Sequence, residues 1–421
     1  MTDRLHAARR LLGVGVLVLA VAAPTACTGT PGVGPTTSTT GSPTSTAPTA
    51  STSSTTTSST TTTSSPPSRT RTTSARSCGE RLAAGMTPAQ RAGQLLMVGL
   101  QSGASVSGLA AQARAQHLGG VVFLGGWSGG AAPVSRATAT LQEGSTPGLL
   151  VAADQEGGQV QQLRGAGFTR IPSARTQATL GTVTEEKDVR GWAKQLDAAG
   201  VNVNLAPVAD TVPTSLGAGN APIGRDRRDF APGSPQTNAR YAAAFVRGTL
   251  AAGVAPTLKH FPGLGRVTGN TDVTGTGTTD PTTSATDPYL APFEAGIRAG
   301  APLVMVSSAR YPRIDPDRQA MFSKAVITDL LRGRLGFDGV VITDDVGAAK
   351  AVAAVPVGQR ATGFIAAGGD IVLTASASQA PVMLAAIAAK RAASKGFAAQ
   401  VDAAAARVLD LKADLGLARC G

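Results

Sequence analysis

Histidine is scarce in this chain of 421 residues, which contains only His6, His117 and His260. No two of them form an H-x-H or H-x-x-x-H pattern, the spacings with which one segment commonly supplies two zinc ligands. The sequence therefore argues against a zinc site, and we expect no metal. A G-x-G-x-x-G motif is also missing after the first predicted strand, which argues against dinucleotide binding, and we expect no cofactor.

Aromatic residues make up only 4% of the chain, and no dense run of basic residues occurs. Both features argue against a nucleic-acid partner, which would need basic patches interleaved with aromatic side chains. The formal net charge is nevertheless +12. If the chain is exported, this charge favours attraction to an acidic polymer of the cell envelope.

The N-terminal apolar run is too short to span a bilayer. It extends from Leu11 to Ala23 and follows the positive charges of Arg4, Arg9 and Arg10, as in a secretory signal peptide. Cys27 follows small residues, as at a bacterial lipoprotein cleavage site. We expect residues 1–26 to be a lipoprotein-type signal peptide and Cys27 to be the lipid attachment site. The chain would then be exported and anchored at the outer face of the cell membrane, with plain secretion as the alternative.

Residues 27–76 are almost only Thr, Ser, Pro, Gly and Ala, a composition with too little apolar surface to fold. We expect them to be a disordered linker that tethers one globular domain, residues 77–421. With Cys27 lipidated, Cys78 and Cys420 remain, one near each end of this domain. An exported chain with two such cysteines favours a disulfide between them. We expect a monomer.

The domain alternates short apolar runs with Ala-rich helical patterns, which predicts an α/β fold with parallel strands covered on both faces. Eight such units favour a closed (β/α)8 barrel of the TIM type over an open sheet. The predicted strands are residues 95–100, 120–124, 148–153, 201–206, 254–258, 303–306, 339–342 and 370–373. The predicted helices include residues 238–252, 287–299, 324–335, 356–367 and 396–415.

Polar residues follow the carboxyl ends of at least five predicted strands. Asp154, Asp210, Lys259-His260, Ser307-Ser308 and Asp344-Asp345 all stand at such positions. Because the carboxyl ends of barrel strands meet at one face, these residues predict an active site at the barrel mouth.

Carboxylates dominate this predicted site, and two kinds of chemistry compete for them. Paired carboxylates without a metal suit the cleavage of a glycosidic bond. Carboxylates with His could instead hold a divalent metal, as in barrel hydrolases. The scarcity of His favours the glycosidase. Trp127, in the glycine-rich loop after the second strand, could stack on a sugar ring or could cap the core, and both interpretations stay open.

Several motifs resemble glycoside hydrolase family 3, and most of all its single-domain β-N-acetylglucosaminidase branch with its actinobacterial lipoproteins. They are D-Q-E-G-G at Asp154, N-L-A-P-V-A-D ending at Asp210, P-I-G-x-x-x-R-x-F from Pro222 to Phe230, K-H-F-P-G at Lys259 and G-F-D-G-V-V-I-T-D-D ending at Asp345. The resemblance implies a retaining β-N-acetylglucosaminidase, or β-hexosaminidase, that acts on cell-wall glycan fragments in peptidoglycan turnover. By position it implies that Asp344 is the nucleophile. It also implies that Asp154, Arg228, Lys259 and His260 hold the sugar.

The chain departs from the pattern of this branch in the loop after the fifth strand. The branch carries an acid/base His there, with an Asp two residues before it, whereas this chain has Asp272 and Asn270. Leu264 replaces a further His of the loop. Three interpretations remain open: Asp272 acts as the acid/base, only activated glycosides are cleaved, or the protein is an envelope glycan-binding relative with impaired catalysis.

Two more departures affect the residues expected to hold the sugar. Gln162 stands where the resemblance implies an Arg, and Arg164 lies two residues further on. Ser308 stands where a His is usual after the sixth strand.

Overall fold

The computed structural model describes residues 76–420. The predicted signal peptide, the lipid attachment site Cys27 and almost all of the predicted linker lie outside these residues. Within them, no helix has the length and apolar character needed to cross a bilayer.

Eight parallel strands form one sheet that curves into a nearly closed barrel. They are β1 (Leu96–Gln101), β2 (Gly120–Leu124), β3 (Leu150–Ala153), β4 (Val203–Asn204), β5 (Ala255–Phe261), β6 (Leu303–Val306), β7 (Val340–Thr343) and β8 (Val372–Thr374). Each strand pairs with its neighbours in sequence, and β8 pairs with β1. A parallel bridge between Ile342 and Ile371 brings β7 to β8, so the sheet meets itself. The eight predicted strands and the predicted barrel are confirmed.

The strands are apolar because they are covered on both faces. In β3 and β7 every residue is buried, and Val341 and Ile342 have no exposed surface. Burial of such side chains stabilises the fold by about 1.5–3 kcal/mol each. This requirement produces the Val/Ile/Leu runs from which the strands could be predicted.

Helices surround the sheet. The α-helices of the described part are α1 (Cys78–Ala84), α2 (Pro88–Gln94), α3 (Val106–Gln116), α4 (Ala131–Gln142), α5 (Ala174–Gln177), α6 (Thr182–Ala198), α7 (Pro235–Leu250), α8 (Ala291–Arg298), α9 (Val357–Ala366), α10 (Ala380–Ala393) and α11 (Lys395–Asp414). A π-helix, Ala325–Arg334, forms the crossover from β6 to β7, where the sequence predicts an ordinary helix. Gly296 lets α8 approach β5, since a Cβ there would lie 2.4 Å from Leu258 Cδ2.

The two ends of the domain meet outside the barrel. Ser77 and Glu80 form a capping box at the start of α1, and Asp410 of α11 accepts hydrogen bonds from Gly79 N at 2.6 Å and Ser77 Oγ at 2.9 Å. Cys78 and Cys420 are paired as a disulfide, with their Cα atoms 5.6 Å apart. The N-terminal helix is thereby tied to the end of the chain.

Two short hairpins extend the loops at the carboxyl ends of the strands. One pairs Gln155–Gly157 with Val160–Gln161 directly after β3, and the other pairs Arg310–Tyr311 with Asp315–Gln319 after β6. Gly157 has a φ of 105°, and a Cβ at this position would lie 2.2 Å from Pro172 O. The first hairpin therefore needs glycine here, and its position places Asp154 and Glu156 at the mouth.

Candidate active site

A cavity of about 330 Å³ opens at the carboxyl ends of the strands. Its lining includes Asp154, Arg228, Lys259, His260, Asp272 and Asp344, which are all of the predicted catalytic and sugar-binding residues except Trp127. Among residues 76–420, no group of three or more His, Cys, Asp or Glu side chains is arranged to hold a metal ion.

A network of two cations and two carboxylates forms one wall of the cavity. Arg228 donates two hydrogen bonds to Glu156, from Nε at 2.9 Å and from Nη2 at 2.7 Å. Lys259 Nζ lies 2.6 Å from Glu156 Oε1 and also contacts Asp154 Oδ1. Both cations are therefore held in place before any ligand binds, as transition-state binding requires.

The charges in this network shift the pKa values of its members. Burial alone would raise the pKa of Glu156, but Arg228 and Lys259 outweigh it and lower the pKa from 4.5 to about 2. Burial opposes protonation of Lys259, whereas Asp154 and Glu156 favour it, and the pKa of Lys259 is raised. Glu156 is thus ionised, and Lys259 protonated, throughout the neutral range.

Glu156 is the functional residue that the sequence reasoning missed. It is only 8% exposed and lies behind Arg228 and Lys259, where it contacts both. The D-Q-E-G-G motif contains this residue, two positions after Asp154, and that was the available signal. Asp154 alone could not neutralise both Arg228 and Lys259.

His260 is held by a second buried carboxylate. Asp210, with no exposed surface, has Oδ2 2.7 Å from His260 Nδ1 and accepts from Leu264 N at 2.7 Å through Oδ1. One carboxylate thus fixes both the imidazole and the loop that follows it. Gly265 allows this loop to run against the loop after β4, because a Cβ at Gly265 would lie 1.7 Å from Thr211 O.

Asp344 lies directly after β7. Its backbone N donates to Val306 O at 3.0 Å, and its Oδ1 accepts from Asp345 N at 2.9 Å. Burial raises the pKa of Asp344 to about 6, and the negative charge of Asp272 adds to this rise. Asp345 has a different role, because its carboxylate accepts three backbone N–H groups, those of Gly347, Ala348 and Ala375.

Asp272 is exposed at the rim of the same cavity. Its loop is anchored to the loop after β7, where Lys350 N donates to Asp272 O at 3.1 Å and Ala351 N donates to Thr271 O at 3.0 Å. Loss of hydration beside the surrounding protein raises the pKa of the Asp272 carboxyl despite this exposure, while His260 and Arg228 act in the opposite direction. Asp272 and Asp344 therefore form an interacting pair of carboxyl groups.

Trp127 lies outside the lining of the cavity. Its ring packs edge to face on Phe123 at 4.8 Å, and its Nε1 donates to Leu124 O at 3.2 Å. These contacts favour the core-capping interpretation over stacking on a sugar. Stacking of Trp127 on a sugar ring stays a prediction.

The remaining positions that differ from the family pattern, Gln162 with Arg164 and Ser308, have different surroundings. Gln162 lines the cavity, and its Oε1 accepts from Gly126 N at 3.0 Å. Arg164 is directed away from the lining, toward Gln161 O at 2.6 Å and Gln159 O at 3.3 Å. Ser308 is buried, and its Oγ has no hydrogen-bond partner among the described residues.

A barrel whose mouth combines two interacting carboxyl groups with fixed hydrogen-bond donors is the arrangement of a glycoside hydrolase. The chain belongs to glycosyl hydrolase family 3, because the model of that family's N-terminal domain matches residues 89–411.

Relatives agree with this assignment. The chain is similar to a structure of a β-N-acetylhexosaminidase from Beutenbergia cavernae, at 46% identity and a TM-score of 0.74, over 78% of this chain and 99% of that one. A β-hexosaminidase of Xanthomonas oryzae is 35% identical over 266 residues, which cover 60% of this chain and 75% of the relative. A β-hexosaminidase of Stenotrophomonas maltophilia is 38% identical over 240 residues, or 53% of this chain and 66% of the relative.

Proposed function

We propose that the protein is a retaining β-N-acetylglucosaminidase, or β-hexosaminidase, that acts on glycan fragments of the cell wall. The observation that carries the proposal is the position of Asp344, at the end of β7 on the lining of the same cavity as the fixed donors Arg228, Lys259 and His260. The relatives named β-hexosaminidase and β-N-acetylhexosaminidase support the same substrate class.

Asp344 would attack the anomeric carbon of the terminal sugar and form a covalent glycosyl-enzyme, while the bond to the leaving oxygen breaks. A pKa of about 6 leaves most of this carboxyl ionised at about pH 7, as a nucleophile requires. Its Oδ1 is occupied by Asp345 N, so the free Oδ2 is the atom for the attack.

Asp272 would supply the proton for the leaving oxygen and then take a proton from the attacking water. Its raised pKa and its place on the rim suit both steps, since the rim is where a leaving group departs and water enters. The negative charge of Asp272 raises the pKa of Asp344, so the two carboxyl groups interact across the cavity.

Arg228, Lys259 and His260 would hold the hydroxyl groups of the ring, with Asp154 accepting from one of them. Each donor is positioned by a carboxylate behind it, Glu156 for the cations and Asp210 for the imidazole. This arrangement lets the donors orient a sugar without first losing their own conformational freedom.

We also propose that the protein works outside the cell, anchored by a lipid at Cys27 and separated from the membrane by the linker, as a monomer. A disulfide between Cys78 and Cys420 supports an oxidising compartment.

Turnover of an aryl β-N-acetylglucosaminide by the purified protein tests the proposal. Asp344→Ala should abolish turnover, and azide should restore activity to Asp272→Ala with formation of a β-glycosyl azide. Turnover of aryl substrates alone, with no cleavage of natural fragments, would show that Asp272 does not act as an acid. Saturable sugar binding without any turnover would favour an envelope glycan-binding protein.

A further inference from the structure

Glu185 is a buried carboxyl group in the first turn of α6, and the proposed mechanism does not use it. It has no exposed surface, and neither of its side-chain oxygens has a hydrogen-bond partner among residues 76–420. An ionised carboxylate at such a position carries a large desolvation penalty, whereas a protonated carboxyl does not.

The position of Glu185 on α6 places this group at a tightly packed helix interface. It lies one turn before Val189 on the buried face of the helix. Gly248 of α7 lets the two helices approach closely here, since a Cβ at Gly248 would lie 2.5 Å from Glu186 O. Close packing leaves little room for water to solvate a charge at this point.

The charges around α6 do not compensate a negative charge on Glu185. Asp188, on the same helix, is a like charge, and burial together with this neighbour raises the pKa of Glu185 from 4.5 to about 8. The other charged groups of α6 and of the elements beside it are exposed or already paired. They are Glu186, Lys187, Arg190, Lys194 and Asp197 of α6, Arg136 of α4, Arg175 of α5, and Arg240 and Arg247 of α7.

The apolar cluster beside Glu185 also supports part of the candidate active site. Val189 belongs to the same buried cluster as Phe230 and Tyr241. Phe230 follows Arg228 by two positions in the sequence. Displacement of α6 would therefore reach the loop that carries Arg228.

We propose that Glu185 is a pH-sensitive element of the fold: it is neutral in the folded protein, and its ionisation in alkaline solution loosens α6 from the barrel and lowers the stability of the domain. Because the folded-state pKa is raised above the unfolded one, the contribution of Glu185 to stability is fully present below about pH 4.5. It is lost as the pH rises to about 8. The inference does not depend on the proposed hydrolase activity.

Urea unfolding of wild type and of Glu185→Gln, from about pH 5 to about pH 8, tests the proposal. The unfolding equilibrium constant of wild type, divided by that of the variant, should rise by about 10²-fold over this range. Burial lowers the pKa of Lys412 to about 7, but Lys412 titrates in both proteins and cancels in the ratio. The pH dependence of the ratio is the readout, because a change in packing alone gives a constant difference.

Two further variants make the result specific to the buried carboxyl group. Glu186→Gln is the matched control, since Glu186 is the next residue of α6 but has 40% of its side chain exposed. It removes the same charge and should leave the pH dependence of wild type in place. Glu185→Met removes the polar atoms as well and should behave as Glu185→Gln does. A ratio that is independent of pH for both variants of Glu185 overturns the proposal.

Trp192 reports the loosening of α6 directly, because it lies on this helix and packs against the cluster that contains Val189. In a Trp127→Phe background Trp192 is the only tryptophan of the chain. Its fluorescence should change reversibly with a midpoint at about pH 8 in the absence of urea. Addition of Glu185→Gln should abolish this change. Fluorescence that stays constant across this midpoint, or that changes equally in both proteins, overturns the proposal.

Discussion

Replacement of Glu156 by Gln should destabilise the protein strongly at neutral pH. The variant keeps the shape of the side chain but leaves Arg228 and Lys259 without their shared charged partner. The cations lower the pKa of Glu156 from 4.5 to about 2, which corresponds to about 3 kcal/mol in favour of the folded, ionised state. Breaking a buried ion pair by removing one partner costs a similar amount, about 3–5 kcal/mol.

The effect should depend on pH in a defined direction. Because the folded-state pKa is lowered, the stabilisation is fully present above the unfolded value of 4.5 and is lost as the pH falls toward 2. Urea unfolding should therefore show a difference of about 3 kcal/mol between wild type and Glu156→Gln at about pH 7. At about pH 3.5 this difference should be smaller by about 1 kcal/mol.

A surface ion pair provides the control for this measurement. Glu186 pairs with Arg247 at 2.8 Å, with 40% and 48% of the two side chains exposed. Glu186→Gln should lower the free energy of unfolding by less than about 1 kcal/mol, and this loss should depend little on pH. The reasoning is refuted if Glu156→Gln lowers the free energy of unfolding no more than this control variant does. It is also refuted if the loss caused by Glu156→Gln is the same at about pH 3.5 as at about pH 7, because the ionised Glu156 would then not stabilise the fold through Arg228 and Lys259.

Two further predictions concern the carboxyl pair and the disulfide. Asp272→Asn should move the acidic limb of kcat/KM for an activated aryl glycoside to lower pH, because the charge that helps to raise the pKa of Asp344 to about 6 is removed; an unmoved limb would mean that the two carboxyl groups act independently. The Cys78→Ser, Cys420→Ser variant should lose about 2–5 kcal/mol of stability in chemical denaturation, because the link spans 342 positions of the sequence. A reductant should lower the melting temperature of the wild type but not that of the double variant, and an equal effect on both would contradict the pairing.

The barrel could be predicted because its strands are buried on both faces and appear as apolar runs. Boundaries were less accurate where partners decide them. The predicted strand at residues 201–206 is reduced to Val203–Asn204, since only these two residues pair with both β3 and β5. The strand predicted to end at Leu258 continues to Phe261, which pairs with Val306 of β6; Lys259 within it is neutralised by Asp154 and Glu156, which follow β3.

The site could be predicted only in part, for a related reason. Residues such as Asp154 and Asp344 follow apolar runs directly, so the barrel geometry assigns them to the mouth. The role of Glu156 depends on which side chains meet it across the cavity, and sequence spacing does not contain that information. For Trp127 the sequence position was misleading. It follows the second strand, as a residue of the mouth would, but its ring packs on Phe123 and does not line the cavity.

The central claim is that Asp344 attacks the anomeric carbon of the substrate. It is tested most directly by incubating the protein with a 5-fluoro-N-acetylglucosaminyl fluoride, which slows hydrolysis of a covalent intermediate, and by mapping the label with mass spectrometry. The label should lie on Asp344 and should be absent from Asp344→Asn. A label on Asp272 or Asp345, or turnover of the aryl glycoside with inversion at the anomeric carbon, would contradict the account.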